Sequence, residues 1–195
     1  MGYSIEASGD SCYEGTSCLI NKFDIRDDKR LSEIEAEITF AKAAILESEP
    51  PKLPLDFECY KNIHRFLFED LYDFAGELRK VDISKKGTLF CPAKELLKSC
   101  ETCFNRLEKE NYFKGVPKEK FIEEIVDFYQ TTNFLHPFRE GNGRTQRIFI
   151  SKLIKLSGYE FNFSSINPDL LMIATIKASG GTTDDLYQLF KEQIK

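Results

Sequence analysis

Apolar residues recur every three or four positions along most of this 195-residue chain, the spacing expected for one buried face of an α-helix. The first such segment begins after Asp27, and its predicted buried face consists of Leu31, Ile34, Ile38, Ala41 and Ile45. The period returns in six later segments, at about 56–74, 92–111, 117–135, 144–156, 167–178 and 183–194. The pattern predicts one mainly α-helical domain over 27–195, preceded by an irregular lead-in over 1–26.

Between Gly76 and Pro92 the helical period is lost. Two short runs that suit extended backbone, Leu78–Ser84 and Thr88–Phe90, flank the turn sequence Lys85-Lys86-Gly87. Short extended runs joined by a tight turn containing glycine are typical of a β-hairpin. The predicted fold is therefore all-α with one small β-hairpin at about 79–90.

The composition fits a globular domain and argues against several classes of partner. Seventeen Phe and eight Tyr with no Trp indicate an aromatic core, and the net charge of −5 argues against nucleic-acid binding. No apolar run approaches the roughly 18 residues of a membrane span, and Met1–Asp10 lacks the features of a signal peptide. We therefore expect no membrane association and a cytoplasmic location. The six cysteines, including Cys100-Glu-Thr-Cys103, lack a metal-site or redox context and are expected to be reduced.

The segment His136–Arg147 lies between two strongly periodic helices and concentrates the residues that can do chemistry. Its Gly141-Asn142-Gly143 turn can present successive backbone N–H groups to an anion, and the start of the following helix adds partial positive charge. Arg144 and Arg147 are three residues apart, so both project from one side of the first helical turn and can clamp phosphate oxygens. Residues 141–147 are therefore predicted to form a phosphate cradle.

Two further groups in this segment complete a reaction centre. Glu140 is the carboxylate inside the phosphate cradle and suits a Mg²⁺ ion that also contacts phosphate. His136 has an ordinary pKa of about 6.5, which suits removal of a proton at neutral pH. Each feature alone is common in structural turns and helix caps. Their combination within twelve residues indicates attack by a hydroxyl group on a nucleotide phosphate.

The same segment, His136-Pro-Phe-Arg-Glu-Gly-Asn-Gly-Arg-Thr-Gln-Arg147, matches the HPFx(D/E)GNGRxxR signature of Fic proteins at every defined position. The resemblance extends beyond the signature. Gly76–Pro92 is similar to the Fic flap, and Leu19–Arg26 is similar to the lead-in of stand-alone Fic domains. Residues from about 18 to 195 therefore resemble a Fic core.

The resemblance implies a protein adenylyltransferase that uses ATP with Mg²⁺, transfers AMP to a Ser, Thr or Tyr hydroxyl of a protein and releases pyrophosphate. It assigns His136 as the general base and Glu140 as the Mg²⁺ ligand. The implied nucleotide contacts are Gly141, Asn142, Gly143, Arg144, Thr145 and Arg147, with Lys85 of the flap as a further phosphate contact. The flap would dock the target segment by strand addition. Modification of the chain itself, association into homo-oligomers and a toxin-like role are left open.

Many Fic proteins are restrained by an inhibitory helix with the motif (S/T)xxxE(G/N), whose Glu pairs with the second Arg of the signature, here Arg147. This chain has no copy of that motif, and the nearest match, Ser32-Glu33-Ile34-Glu35, is one residue short. One hypothesis is that Glu35 reaches Arg147 and blocks productive ATP binding. The alternatives are that these glutamates form the solvated face of the first helix, that a separate antitoxin acts, or that there is no brake.

Other activities stay open at the level of sequence. Gly143 stands where the kinase-like Doc branch has Lys, which favours AMP transfer over phosphorylation. Transfer of UMP or phosphocholine is a further alternative, since the sequence does not mark the residues that contact the base. An inactive Fic-fold interaction module would not need the intact signature. A metal hydrolase built from His64 and His136 lacks the HExxH or HD motif expected for it, and His64 is expected to be a partly buried helix residue.

Overall fold

A computed structural model describes residues 11–85 and 88–195, and the backbone alone of Ser4 and Ile5. The helices within these ranges are α1 Asp28–Ser48, α2 Phe57–Phe68, α3 Leu96–Lys109, α4 Lys118–Leu135, α5 Asn142–Leu156, α6 Pro168–Ser179 and α7 Asp184–Gln193. Short 3₁₀ turns lie at Ala93–Glu95, Asn111–Phe113 and Phe163–Ser165. The predicted all-α fold is confirmed.

Helix α5 is at the centre of the packing, because it contacts α1, α2 and α4. Its buried apolar residues, all in one continuous core, are Ile148, Phe149, Ile150, Leu153 and Ile154. The rings of Tyr60, Phe104 and Phe128 surround the Phe149 ring, with centroid separations of 5.4, 5.3 and 5.8 Å. This aromatic core fixes the position of the N-terminal end of α5, where the predicted site lies.

The predicted hairpin is present as β2 (Ile83–Lys85) and β3 (Thr88–Leu89), which pair antiparallel. Its turn residues 86–87 lie outside the described residues. A further strand that the sequence pattern did not predict, β1 (Ser4–Ile5), pairs antiparallel with the other edge of β2. A strand of two residues is too short to show a period of its own, so only its pairing reveals it. The lead-in therefore contributes to the flap sheet.

The predicted buried face of α1 is confirmed in its first half, since Leu31 is buried and Ile34 and Ile38 are partly buried against the core. Its buried residues are Leu31, Glu35 and Thr39, whereas Ile45, on the predicted buried face, is 51% exposed. Glu35 and Thr39 both contact Arg144 at the start of α5. The buried face of α1 thus combines apolar residues of the period with two polar residues that contact α5.

Helix α2 ends at Phe68, before its predicted end at Phe74. The lead-in occupies the carbonyl groups at this point, since the Lys22 amide donates to the Leu71 carbonyl at 2.9 Å and Lys22 Nζ donates to the Glu69 carbonyl at 2.7 Å. Donors from another segment therefore replace the helical hydrogen bonds that would have continued the helix.

The six cysteines are free thiols, and burial raises the pKa of both Cys100 and Cys103 to about 12, so this pair is not activated for redox chemistry.

Among the described residues, none of the helices combines the length and the apolar character that crossing a bilayer would need.

The orientation of α1 can be tested by truncating two residues that the sequence pattern places on one face. Leu31 is 5% exposed and Ile45 is 51% exposed. Leu31→Ala is expected to lower the free energy of unfolding by about 2–5 kcal/mol because it leaves a cavity, whereas Ile45→Ala should change it by less than about 1 kcal/mol. Chemical denaturation measures both values, and equal losses would contradict this orientation of α1.

Candidate active site

The site loop, residues 136–141, joins the end of α4 to the start of α5 through backbone conformations that few residues adopt. His136 ends α4 in the left-handed region, with φ of 43° and ψ of 57°. Gly141 is also left-handed, with φ of 78°, and a Cβ atom there would collide with the Phe68 ring. Position 141 therefore requires glycine for its conformation and for close packing. At His136 the conformation costs of order 1 kcal/mol and has to be held by its surroundings.

Arg79 holds this backbone in place. Its buried side chain donates to the His136 carbonyl at 2.8 Å, to the Val81 carbonyl at 2.7 Å and to the Cys91 carbonyl. Its backbone amide donates to the Pro137 carbonyl at 2.9 Å. One residue thus ties the site loop to both sides of the flap hairpin. Sequence reasoning noted Arg79 only as part of the flap, because an arginine that binds carbonyl groups has no periodic signal.

His64 of α2 holds the other end of the site loop. Its Nδ1 accepts a hydrogen bond from the Gly76 amide at 2.8 Å, and its Nε2 lies 2.9 Å from the Glu140 carbonyl oxygen. Since an amide can only donate, Nδ1 carries the lone pair and Nε2 donates its proton to Glu140. The ring stacks on Phe138 at 3.8 Å and is fully buried. The expectation of a partly buried His64 is wrong, and with both nitrogens engaged it does not join His136 as a metal ligand.

His136 is arranged as a neutral base. Its Nδ1 lies 3.0 Å from the Asn133 carbonyl and donates to it, so Nε2 carries the lone pair of the neutral ring. Phe90 of the flap stacks on the ring at 3.9 Å. Burial lowers the pKa of His136 to about 3, the Asn133 hydrogen bond acts in the opposite direction, and the charges of Lys85 and Arg79 lower it further. The ring is therefore unprotonated at neutral pH and able to accept a proton.

The start of α5 presents backbone N–H groups that the helix itself does not use. The first helical hydrogen bond runs from the Thr145 amide to the Gly141 carbonyl at 3.1 Å. The amides of Asn142, Gly143 and Arg144 therefore precede the helical ladder. Such amides, together with the positive end of the helix dipole, are suited to an anion.

The side chains of Asn142 and Thr145 hold the site loop instead of facing a ligand. Asn142 Oδ1 accepts from the Phe138 amide and its Nδ2 donates to the Phe138 carbonyl, both at 2.8 Å. The Thr145 hydroxyl donates to the Gly141 carbonyl at 3.1 Å, and the residue is 0% exposed. Asn142 can thus offer a ligand its backbone amide. Thr145, predicted as a nucleotide contact, is buried beneath the phosphate cradle, which corrects that prediction.

The two arginines of the signature differ in their partners. Arg144 forms an ion pair with Glu35, donates to Thr39 Oγ1 at 3.1 Å and lies 3.6 Å from Glu140 Oε1. The Arg147 guanidinium makes no hydrogen bond or ion pair with any residue that the structure describes, and burial lowers its pKa. A half-buried cation without a counter-ion is a group that an incoming phosphate would satisfy.

Glu35 reaches the signature at Arg144 and not, as hypothesised, at Arg147. Its carboxylate is 11% exposed and also accepts a hydrogen bond from the Tyr72 hydroxyl. The alternative that Glu35 belongs to a solvated face is therefore also wrong. Ser32, the other residue of the short motif match, is exposed, and its side chain forms no hydrogen bond within the described ranges.

Glu140 and Lys85 lie at the edge of the phosphate cradle. The Glu140 side chain is 27% exposed, and its Oε1 accepts from the Gly141 amide at 2.9 Å. Lys85 ends β2, close enough to His136 for its charge to lower the pKa of that histidine. The structure thus brings the flap lysine, the acid, the base and the phosphate cradle together.

The two histidines make the stability of the chain depend on pH. Burial lowers the pKa of His64 to about 4 and that of His136 to about 3. Above the ordinary pKa of about 6.5, neither the folded nor the unfolded chain carries a proton on these rings. As the pH falls below that value, the unfolded chain binds protons that the folded chain excludes. The free energy of unfolding should then fall by up to about 1.4 kcal/mol per pH unit for each histidine.

His64→Gln removes the contribution of His64 to the pH dependence of the free energy of unfolding. The glutamine amide can donate to the Glu140 carbonyl and accept from the Gly76 amide, but it does not titrate. Between about pH 6 and pH 5, the free energy of unfolding of this variant should fall about half as steeply as that of the wild type. Denaturant titrations at several pH values give both slopes. Identical slopes would contradict a buried, neutral His64.

Comparison with known proteins agrees with this geometry. The model of the Fic/DOC family matches residues 54–154. The chain is 34% identical over 182 residues to "Probable protein adenylyltransferase Fic" of Escherichia coli (strain K12), covering 93% of this chain and 90% of that protein. It is 28% identical to protein adenylyltransferase VbhT of Bartonella schoenbuchensis, covering 92% of this chain and 37% of VbhT.

Two solved structures are similar over nearly the whole chain. BepC of Bartonella tribocorum with bound AMPPNP has a TM-score of 0.87 and 27% identity, covering 95% of this chain and 96% of that one. The N-terminal Fic domain of a cell filamentation protein from Bartonella quintana, with bound ADP, has a TM-score of 0.89 and 26% identity, covering 95% and 94%. By its signature, its fold and its relatives, this chain belongs to the Fic/DOC family.

Proposed function

We propose that this protein is an adenylyltransferase that transfers AMP from ATP to a Ser, Thr or Tyr hydroxyl of a protein and releases pyrophosphate. One observation carries the proposal: the same loop joins a neutral His136 to the unused amides of α5 and to Arg147, which has no counter-ion among the described residues. Two relatives are named protein adenylyltransferases, and two similar Fic structures hold AMPPNP or ADP, which supports a nucleotide as the donor.

His136 would act as the general base for the target hydroxyl. Its Nδ1–H is fixed on the Asn133 carbonyl, which directs the basic Nε2 away from α4. Its low pKa keeps the ring neutral at physiological pH, so it accepts the proton only as the hydroxyl oxygen bonds to phosphorus and becomes acidic. A positioned base of this kind is typically worth about 10²–10⁴-fold in rate.

In the transfer step, the hydroxyl oxygen forms a bond to the α-phosphorus of ATP. The bond from this phosphorus to the oxygen that bridges the α- and β-phosphates breaks, and pyrophosphate leaves with the electron pair. The hydroxyl proton passes to His136 Nε2. The amides of residues 142–144 and the Arg147 guanidinium would stabilise the charge that spreads over the phosphate oxygens, with Lys85 as a further cation from the flap.

Glu140 is the residue that would hold Mg²⁺. Magnesium is usually bound by one or two carboxylates together with phosphate oxygens and waters. The Glu140 carboxylate is partly exposed beside the phosphate cradle, and within the described ranges no three or more His, Cys, Asp and Glu side chains are grouped so that they could hold a metal ion. A single carboxylate therefore fits an ion that arrives with the nucleotide. When bound, that ion would neutralise phosphate charge.

The flap would receive the target segment at strand β3. Strand β1 covers one edge of β2, so the open edge of the described sheet belongs to β3. The Phe90 amide donates to the Ile83 carbonyl at 3.5 Å, which makes Ser84 and Leu89 a non-hydrogen-bonded pair. The Leu89 N–H therefore points to the open edge. An added strand would lie beside Phe90, which stacks on His136, and backbone pairing would make docking weakly dependent on target sequence.

The chemistry can be tested with ATP that carries its label on different phosphates. In the presence of Mg²⁺, α-labelled ATP is expected to label a lysate protein or the chain itself, whereas γ-labelled ATP is not, because AMP keeps only the α-phosphate. His136→Ala should lower labelling by at least about 100-fold. Label from the γ-phosphate would indicate phosphorylation instead. Absence of label from ATP, UTP and CTP would contradict nucleotidyl transfer and favour an inactive interaction module.

The docking edge can be tested with two substitutions at one exposed position. Leu89 is 73% exposed. Leu89→Pro removes the outward N–H and should lower transfer to a protein target by about tenfold, the value of one good hydrogen bond, without changing the Kd for AMPPNP. Leu89→Ala keeps the N–H and measures the side chain alone. If Leu89→Pro transfers AMP as fast as Leu89→Ala, strand addition at β3 is wrong.

A further inference from the structure

We propose that Glu35, assisted by Tyr72 and Thr39, is a positioning residue that fixes the Arg144 guanidinium at the phosphate cradle. The inference rests on the proposed function, since it concerns how the chain prepares its phosphate site. It replaces the hypothesis that Glu35 is a brake on Arg147.

Helix α1 supplies two of the groups that hold Arg144. Glu35 and Thr39 are four residues apart and therefore lie on one face of the helix. Arg144 Nη2 forms an ion pair with Glu35 Oε1, and Arg144 Nη1 donates to Thr39 Oγ1 at 3.1 Å. The Thr39 hydroxyl donates to the Glu35 carbonyl at 2.6 Å, which turns its lone pairs towards Arg144. The Tyr72 hydroxyl donates to Glu35 Oε2, so both carboxylate oxygens are engaged.

Helix α2 and the site loop also contact the Arg144 guanidinium. It lies 4.8 Å from the centroid of the Phe68 ring of α2, within reach of a cation–π contact. On the side of the site loop, Nη2 is 3.6 Å from Glu140 Oε1. The side chain keeps 29% of its surface exposed. Arg144 is thus held from α1, α2 and the site loop while part of it stays open to the solvent beside the predicted phosphate position.

The negative charge of Glu35 reduces the repulsion between the two neighbouring arginines of the signature. Arg144 and Arg147 are close enough for the charge of one to lower the pKa of the other. Two neighbouring guanidinium groups repel each other until an anion arrives. Glu35 offsets that repulsion through its ion pair with Arg144, so the Arg144 guanidinium can stay in place beside Arg147. Arg147, which has no counter-ion among the described residues, is then the arginine with which an incoming phosphate would pair.

Stability alone does not account for this arrangement. Helix α1 packs Leu31, Ile34 and Ile38 against the core, and on the same side of the helix it also buries the Glu35 carboxylate. Taking a charge out of water is costly unless its partners offset the loss. A buried carboxylate on an otherwise apolar helix face is expected mainly at a functional site.

The same contacts argue against a brake. An inhibitory carboxylate has to leave before the nucleotide can bind, whereas Glu35 is fixed by Tyr72 and sits on a helix that packs on α2 and α5. Removing its charge should therefore weaken nucleotide binding. A competitor of the nucleotide would give the opposite result.

The experiment compares Glu35→Gln with Glu37→Gln, an exposed glutamate on the same helix. Gln keeps the shape of Glu35 and one oxygen that can accept from Arg144, and its NH2 group can donate to the Tyr72 oxygen, but it removes the charge. Glu35→Gln is expected to raise the KM for ATP and the Kd for AMPPNP by about tenfold, with kcat changed by less than about threefold. Glu37→Gln should match the wild type within about twofold on each quantity.

A double-mutant cycle separates positioning from a general structural effect. In the Arg144→Ala background, adding Glu35→Gln should change the Kd for AMPPNP by less than about twofold, because its only route to the nucleotide is gone. A full tenfold loss in that background would overturn the inference. So would tighter AMPPNP binding or no change in the single variant. A wild type that binds AMPPNP but transfers nothing would contradict the proposed function alone, since the Kd comparison still tests Glu35.

Discussion

The site depends on how the backbone of the site loop is held by hydrogen bonds from other parts of the chain. The carbonyl groups of His136 and Pro137 accept hydrogen bonds from Arg79, and the Glu140 carbonyl accepts one from His64. The peptide N–H groups of the loop are used inside the protein as well, since the Phe138 amide donates to Asn142 Oδ1 and the Gly141 amide donates to Glu140 Oε1. The loop is therefore held at both ends, and with it the position of the α5 N-terminus, whose first amides are not used by the helix. Two residues outside the signature, Arg79 and His64, thus help to place the part of the signature that can bind an anion.

Titratable and charged groups around the site loop come from the loop itself, from α1 and from α5. The base is kept neutral by burial, so it adds no positive charge of its own when the hydroxyl approaches. Arg144 is balanced by Glu35, and Arg147 has no counter-ion among the described residues. An electrostatically prepared site of this kind needs little rearrangement when phosphate charge develops, and such preorganisation usually contributes more to catalysis than any other single effect. The burial of Glu35 on α1 and the conformation of the site loop therefore serve the same site.

Sequence patterns predicted the elements better than their contacts. The apolar period located the helices and the flap hairpin, and twelve residues located the site, because both are local signals. The buried face of α1 was predicted only in part: Leu31, Ile34 and Ile38 do pack against the core, but the period gave no sign that Glu35 is buried in an ion pair with Arg144. The pairing of β1 and the contacts of Arg79 and His64 join residues far apart in the chain, and no window along the sequence contains both partners. Thr145 was placed on the ligand side because its orientation depends on a hydroxyl bond to Gly141 that a signature does not encode.

The contacts of Arg79 and His64 imply that the site loop already has its nucleotide-binding conformation, which a crystal structure with AMPPNP and Mg²⁺ would reveal. We predict that the phosphates lie on the amides of residues 142–144 and on the Arg147 guanidinium, with the α-phosphate beside His136 Nε2. The contacts of Arg79 and His64 to the site loop should be unchanged. A loop whose carbonyls have left Arg79 and His64, or phosphates bound away from the start of α5, would contradict the account.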